Sequence, residues 1–67
     1  MKNKEYTKED IKVTFKFHYS DKDLWHVVSL FTDNGEDMVV IKSWAKYKRY
    51  WVYKVDSVEF ILDWLNR

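Results

Sequence analysis

The side chains that could do covalent chemistry here are few. Ser20, Ser29, Ser43 and Ser57 could supply a nucleophile, His18 and His26 a base, and the carboxylates an acid or an orienting third group. None of the serines has the glycine-flanked spacing that lifts a nucleophile onto a sharp strand-to-helix turn. The one glycine, Gly35, excludes a glycine-rich phosphate loop, and DNGED at 33–37 lacks the ligand spacing of a calcium loop. The chain has no cysteine, which excludes disulfides and thiolate metal sites, and two histidines alone do not complete a closed zinc site. His18 and His26 are read as ordinary strand residues. The expectation is a protein that is not an enzyme and carries no cofactor and no metal.

Binding chemistry is better represented. KSWAKYKRYWVYK, residues 42–54, holds five basic and five aromatic side chains and no acid. Part of this tract must serve the core: alternation assigns Trp51, Tyr53 and Val55 to a buried face and leaves Lys46, Lys48, Arg49 and Lys54 as solvated positions that discourage edge-to-edge aggregation. The rest, Lys42, Trp44, Lys46, Tyr47, Lys48, Arg49 and Tyr50, is predicted to be exposed. Aromatic rings beside cations can stack the bases of a single strand while the cations meet phosphates. Trp, Tyr and Arg are equally the side chains that anchor protein interfaces. Charge is distributed unevenly, with a net −2 over 1–41, +5 over 42–55 and −2 over 56–67, for +1 in all. Acidic neighbours on both sides of the tract repel an extended polyanion, which favours a protein partner.

The elements that position these residues follow from periodicity. Residues 1–10 alternate charges without an apolar period and are read as a flexible N-terminal segment, followed by a single domain over 11–67. Ile11, Val13, Phe15, Phe17 and Tyr19 alternate with polar residues, which predicts a strand with one buried face. Ser20–Asp23 reads as a turn. Leu24–Thr32 and Asp37–Trp44 flank Asn34–Gly35, a pair suited to a two-residue type I′ hairpin in which partners across the strands have numbers summing to 69. That register puts Leu24, Val28 and Leu30 in the core with Ala45, Ile41 and Val39, and His26 beside Ser43. It sets Trp25 against Trp44 on the wetter face, where Trp25 joins the candidate partner-binding residues. A turn near Lys46–Arg49 leads to a fourth strand, Tyr50–Val55. DSVEFILDWLNR closes the chain as an amphipathic helix with Asp56 as N-cap, Glu59 reaching back to it, and Val58, Ile61, Leu62 and Leu65 on the apolar face. The fold class is α+β: a four-stranded antiparallel sheet (β-β-β-β-α) with the helix packed on one face.

A chain of 67 residues with one core and no covalent staple has marginal stability, and thirteen aromatic residues partly compensate for its length. No apolar run resembling a signal peptide opens it, and none approaches the roughly eighteen apolar residues of a membrane span. A monomer or a homodimer is compatible with this size.

The segment KSWAKYKRYWVYKVDSVEFILDWL, together with Lys-, Asp- and Asn-rich usage, resembles small phage-encoded proteins of low-GC Gram-positive bacteria. The likeness rests on Lys42, Trp44, Lys46, Lys48, Trp51 and Tyr53. It implies a cytoplasmic host-takeover or anti-defence factor of the anti-CRISPR kind, which inhibits a host protein or nucleoprotein by binding and has no membrane partner. The likeness carries no binding residue with it; the acid-free aromatic run beside the expected turn makes Trp44, Tyr47, Arg49 and Tyr50 the expected anchors, with Lys46 and Lys48 steering association. Two other readings stand beside it: a single-stranded nucleic-acid-binding module using the same residues, and a structural subunit that homo-oligomerises through the wetter sheet face.

Overall fold

The computed structural model describes residues 5–19 and 23–67, so the expected turn at Ser20–Asp23 lies largely outside the described residues. Strands β1 (Lys16–His18), β2 (Leu24–Asp33), β3 (Glu36–Ala45) and β4 (Tyr50–Ser57) form one antiparallel sheet in sequence order, and helix α1 (Val58–Leu65) follows without a loop. The α+β class and the β-β-β-β-α order are those read from the sequence.

The β2–β3 hairpin turns through Asn34 and Gly35 at φ 52° and 79°, the left-handed pair that a two-residue I′ loop requires. Near the turn the register is the expected one, with Asp33 opposite Glu36, Phe31 opposite Met38 and Leu30 opposite Val39. It then shifts by one residue between Val27 and Ser29, so that Val27 faces Ile41, His26 faces Lys42 and Trp25 faces Ser43. A bulge of this kind adds one residue to one strand and exchanges the two faces beyond it. The expected Trp25–Trp44 pair is therefore corrected. Trp25 is only 3% exposed, in the core, whereas Leu24, expected inside, is 41% exposed.

The core comprises Ile11, Phe17, Tyr19, Trp25, Val27, Val39, Ile41, Val58 and Ile61, with Phe15, Leu62, Trp64 and Leu65 packed around it. Tyr19 lies at an aromatic junction, with edge-to-face contacts to Phe17, Trp25, Phe60 and Trp64. Its hydroxyl donates to Asp56 Oδ2 at 2.7 Å. Buried Ser43 donates its hydroxyl to the Leu24 carbonyl at 2.8 Å, which satisfies that polar group inside the core.

The first strand is shorter than its alternation predicts. The Phe15 amide donates to the Lys12 carbonyl at 2.9 Å in a turn that holds Thr14 at φ 75°, and Val13 is exposed. The turn lifts the chain out of the sheet so that Ile11 can join the layer containing α1; a continuous strand would keep Ile11 in the sheet. Preceding it is a 3-10 turn over Lys8–Asp10, with Lys8 paired to Asp37. Tyr6 is clipped to the end of α1 by two hydrogen bonds: its amide donates to Asn66 Oδ1 at 2.7 Å, and Asn66 Nδ2 donates to its carbonyl at 2.9 Å.

The N-cap of α1 is Ser57, whose hydroxyl accepts from the Phe60 amide at 3.0 Å; Asp56, the expected cap, is the penultimate residue of β4 and is engaged by Tyr19. The helix starts beside β4 and ends over β1, where Trp64 Nε1 donates to the His18 carbonyl at 3.3 Å. Eight residues of helix span only about 12 Å, less than half the length of an eight-residue strand, so the Tyr50–Val52 end of β4 has no helix over it.

Candidate binding face

Helix and N-terminal segment share one side of the sheet, and the other side is open. Alternation along β3 puts Val39, Ile41 and Ser43 inside and Met38, Val40, Lys42 and Trp44 on the open side. A four-residue loop, 46–49, then sets the phase of β4. The Lys48 and Arg49 amides both donate to the Ala45 carbonyl, at 3.1 and 2.7 Å, and Arg49 takes φ 60°. Ala45 consequently faces Tyr50, Trp44 faces Trp51, Lys42 faces Tyr53 and Val40 faces Val55. Trp51, Tyr53 and Val55, assigned to the core from alternation alone, are thus on the open face and exposed.

The resulting surface is a row of rings with cations set among them. Trp44 and Trp51 meet edge to face at 5.3 Å between centroids, and His26 meets the other side of the row against Trp51 at 5.6 Å. His26, expected beside Ser43 in the core, reaches this face because of the bulge. Lys42 Nζ lies 4.3 Å from the centre of the Trp51 ring, a cation–π contact that fixes the ring and holds a positive charge in the middle of the face. Lys16 stands opposite His26 on β1, and Lys16, His26, Val28 and Lys42 line a shallow depression next to the rings. Among the described residues, no carboxylate occupies the open face between the Phe31–Met38 pair and the 46–49 loop; Asp33 and Glu36 lie at the far, hairpin end.

The sequence-predicted residues divide into three groups. Lys42 and Trp44 are on the open face, within the ring row. Lys46, Tyr47, Lys48 and Arg49 form the loop at its basic end, where Tyr47 is 98% exposed, projecting into solvent. Tyr50 is on the helix side of β4 beyond the reach of α1, with Lys48 Nζ 5.9 Å from its ring centre. Trp25 is a core residue, its ring on the opposite side of the sheet under Lys54 at 5.0 Å. Sequence reasoning missed Trp51, Tyr53 and His26. The loop length carried the signal for the first two, since four residues between Ala45 and Tyr50 require Trp51 to share a face with Trp44.

Among the described residues no cluster of His, Asp or Glu could hold a metal ion, and no helix is long and apolar enough to cross a membrane. Comparison with known proteins finds no matching family model, no similar curated protein and no similar solved structure.

Proposed function

We propose that this protein is a non-enzymatic binding protein that docks the open sheet face and its basic loop on a partner and inhibits that partner by occlusion. The carrying observation is the acid-free ring row of Trp44, Trp51 and Tyr53, with Lys42 among the rings and Lys46, Lys48 and Arg49 at its end. Half-exposed aromatic side chains on a rigid sheet lose little conformational freedom on contact, which makes them effective anchors. The cations set orientation and speed encounter with a partner carrying acidic groups. On this reading the partner is a host protein or nucleoprotein, and the chain belongs with phage-encoded anti-defence or host-takeover factors acting in the bacterial cytoplasm.

A second reading, single-stranded nucleic-acid binding, has its own support. The acids that follow the tract in sequence leave the open face: Asp56 turns to the helix side and accepts from Tyr19, and Glu59 and Asp63 are carried on α1. That leaves the Lys16–His26–Lys42 depression free to take a phosphate while neighbouring rings stack bases.

Tryptophan fluorescence separates the two. Titration with single-stranded DNA and RNA at low and near-physiological salt quenches Trp44 and Trp51 under the second reading, with affinity falling log-linearly with salt. Under the first, nucleic acid leaves the fluorescence unchanged. Immobilised wild-type protein then retains a lysate component that a folded Trp44→Ala, Arg49→Ala variant fails to retain. Equal retention by the two refutes the site.

A further inference from the structure

We infer that β4 is a self-pairing edge and that two copies of this chain join through it, antiparallel, into one eight-stranded sheet. The two edges of the sheet differ. β1 is three residues long, whereas β4 offers eight residues, roughly 27 Å, with no strand on its outer side among the described residues. An exposed edge of this length is normally blunted by proline, a bulge or inward-pointing charge. The chain has no proline and β4 has no bulge; its middle carries one such charge, Lys54, whose ammonium lies over its own Tyr19 and Trp25 rings at 5.5 and 5.0 Å and so protects the helix face of the strand while the opposite face, with Trp51, Tyr53 and Val55, carries none. Tyr50, Trp51, Val52, Tyr53 and Val55 are all exposed large apolar residues, on both faces of this strand.

Charge selects the occupant and its direction. Lys46, Lys48 and Arg49 precede β4, and Asp56 and Glu59 lie at its other end. A second copy running antiparallel sets the cationic end of each strand against the acidic end of the other, twice by symmetry, whereas a parallel copy sets like against like. A two-fold axis normal to the sheet requires one residue to face itself. Centring on Lys54 would oppose two ammonium groups, which is unfavourable across a strand pair. Centring on Tyr53 pairs residues 50–56 of the two strands, with Tyr53 against its own copy, Val52 against Lys54 and Trp51 against Val55. Both helices then lie on one side, and the two ring rows merge into a single platform on the other. The pairing does not depend on what that platform binds.

Sedimentation velocity or light scattering at about 100 μM reads the mass, expected at twice the 8.3 kDa of one chain. Lys48→Glu is expected to weaken association by about tenfold, because two surface pairs turn repulsive at once, and adding Glu59→Lys restores it. A chain without cysteine allows the register to be read directly. Tyr53→Cys and Val55→Cys replace residues of matched exposure, 59% and 54%, yet only the first faces itself and is expected to give a disulfide-linked dimer rapidly when oxidised glutathione is added, each bridge reducing one molecule of the oxidant to two thiols. A mass of one chain at that concentration overturns the proposal. Equal cross-linking of the two cysteine variants overturns the register.

Discussion

The bulge at Val28 determines which of two neighbours is core, and Leu24→Ala against Trp25→Ala tests it. A strand without the bulge would bury Leu24 and expose Trp25; the structure does the reverse. Trp25 packs edge to face on Tyr19 at 6.5 Å, and Lys54 Nζ lies 5.0 Å from its ring centre. Burying an aromatic side chain removes about 150–250 Å² from water, worth roughly 4–6 kcal/mol at 25 cal/mol per Å². Truncating such a residue to alanine costs about 3–5 kcal/mol. A single core of this size supplies only about 3–5 kcal/mol of net stability. Trp25→Ala is therefore expected to unfold the protein at 25 °C, seen as collapse of amide proton dispersion in NMR. Leu24, 41% exposed at the start of β2, leaves no closed cavity when shortened and is expected to cost about 1 kcal/mol or less, read from urea denaturation followed by tryptophan fluorescence. A Leu24→Ala variant destabilised as much as Trp25→Ala, or a folded Trp25→Ala variant, would refute the register.

Other predictions concern backbone and caps. Thr14 holds a left-handed conformation that costs a non-glycine residue about 1–2 kcal/mol, while glycine adds about 0.5–1 kcal/mol of unfolded-state entropy. Thr14→Gly should thus gain about 0.5–1 kcal/mol, raising Tm by about 2–8 °C in a thermal melt. Ser57→Ala removes the acceptor for the Phe60 amide and should cost about 1 kcal/mol by urea denaturation, with Ser57→Asp recovering the loss. Asn66→Ala breaks both bonds to Tyr6 and should cost about 1–3 kcal/mol, with the Tyr6 amide losing its protection from hydrogen exchange.

Where local chemistry and the hydrophobic period agree, the sequence is legible. Asn34–Gly35 sets both the turn and the nearby register, β3 shows its buried face through Val39 and Ile41, and Val58, Ile61 and Leu62 mark the helix. Phase changes were not legible. Val27–Val28 is apolar on either side of the bulge, so no polar residue marks the extra position. Lys12–Phe15 contains no Gly, Pro or Asn, yet it turns, because burying Ile11 against the helix layer outweighs local preference. The site suffered from the same limitation. Lys42, Trp44 and the 46–49 loop could be found from composition, but placing Trp51 and Tyr53 with them required the phase that the loop imposes on β4. Asp56 and Ser57 are both good caps, and the choice between them rests on Tyr19, 37 positions away, taking the carboxylate.

The Tyr6–Asn66 clip closes the described backbone almost into a ring. Residues 60 positions apart in sequence are within hydrogen-bond distance, on the side of the sheet away from the ring row. A short peptide bridge between them would close the backbone with little distortion, and new ends could then be opened in the 46–49 loop, which contributes nothing to the core. Such a circular permutant would retain every strand pairing while cutting the loop that carries Lys46, Lys48 and Arg49. It would separate the mechanical role of that loop, joining β3 to β4, from the charge it presents.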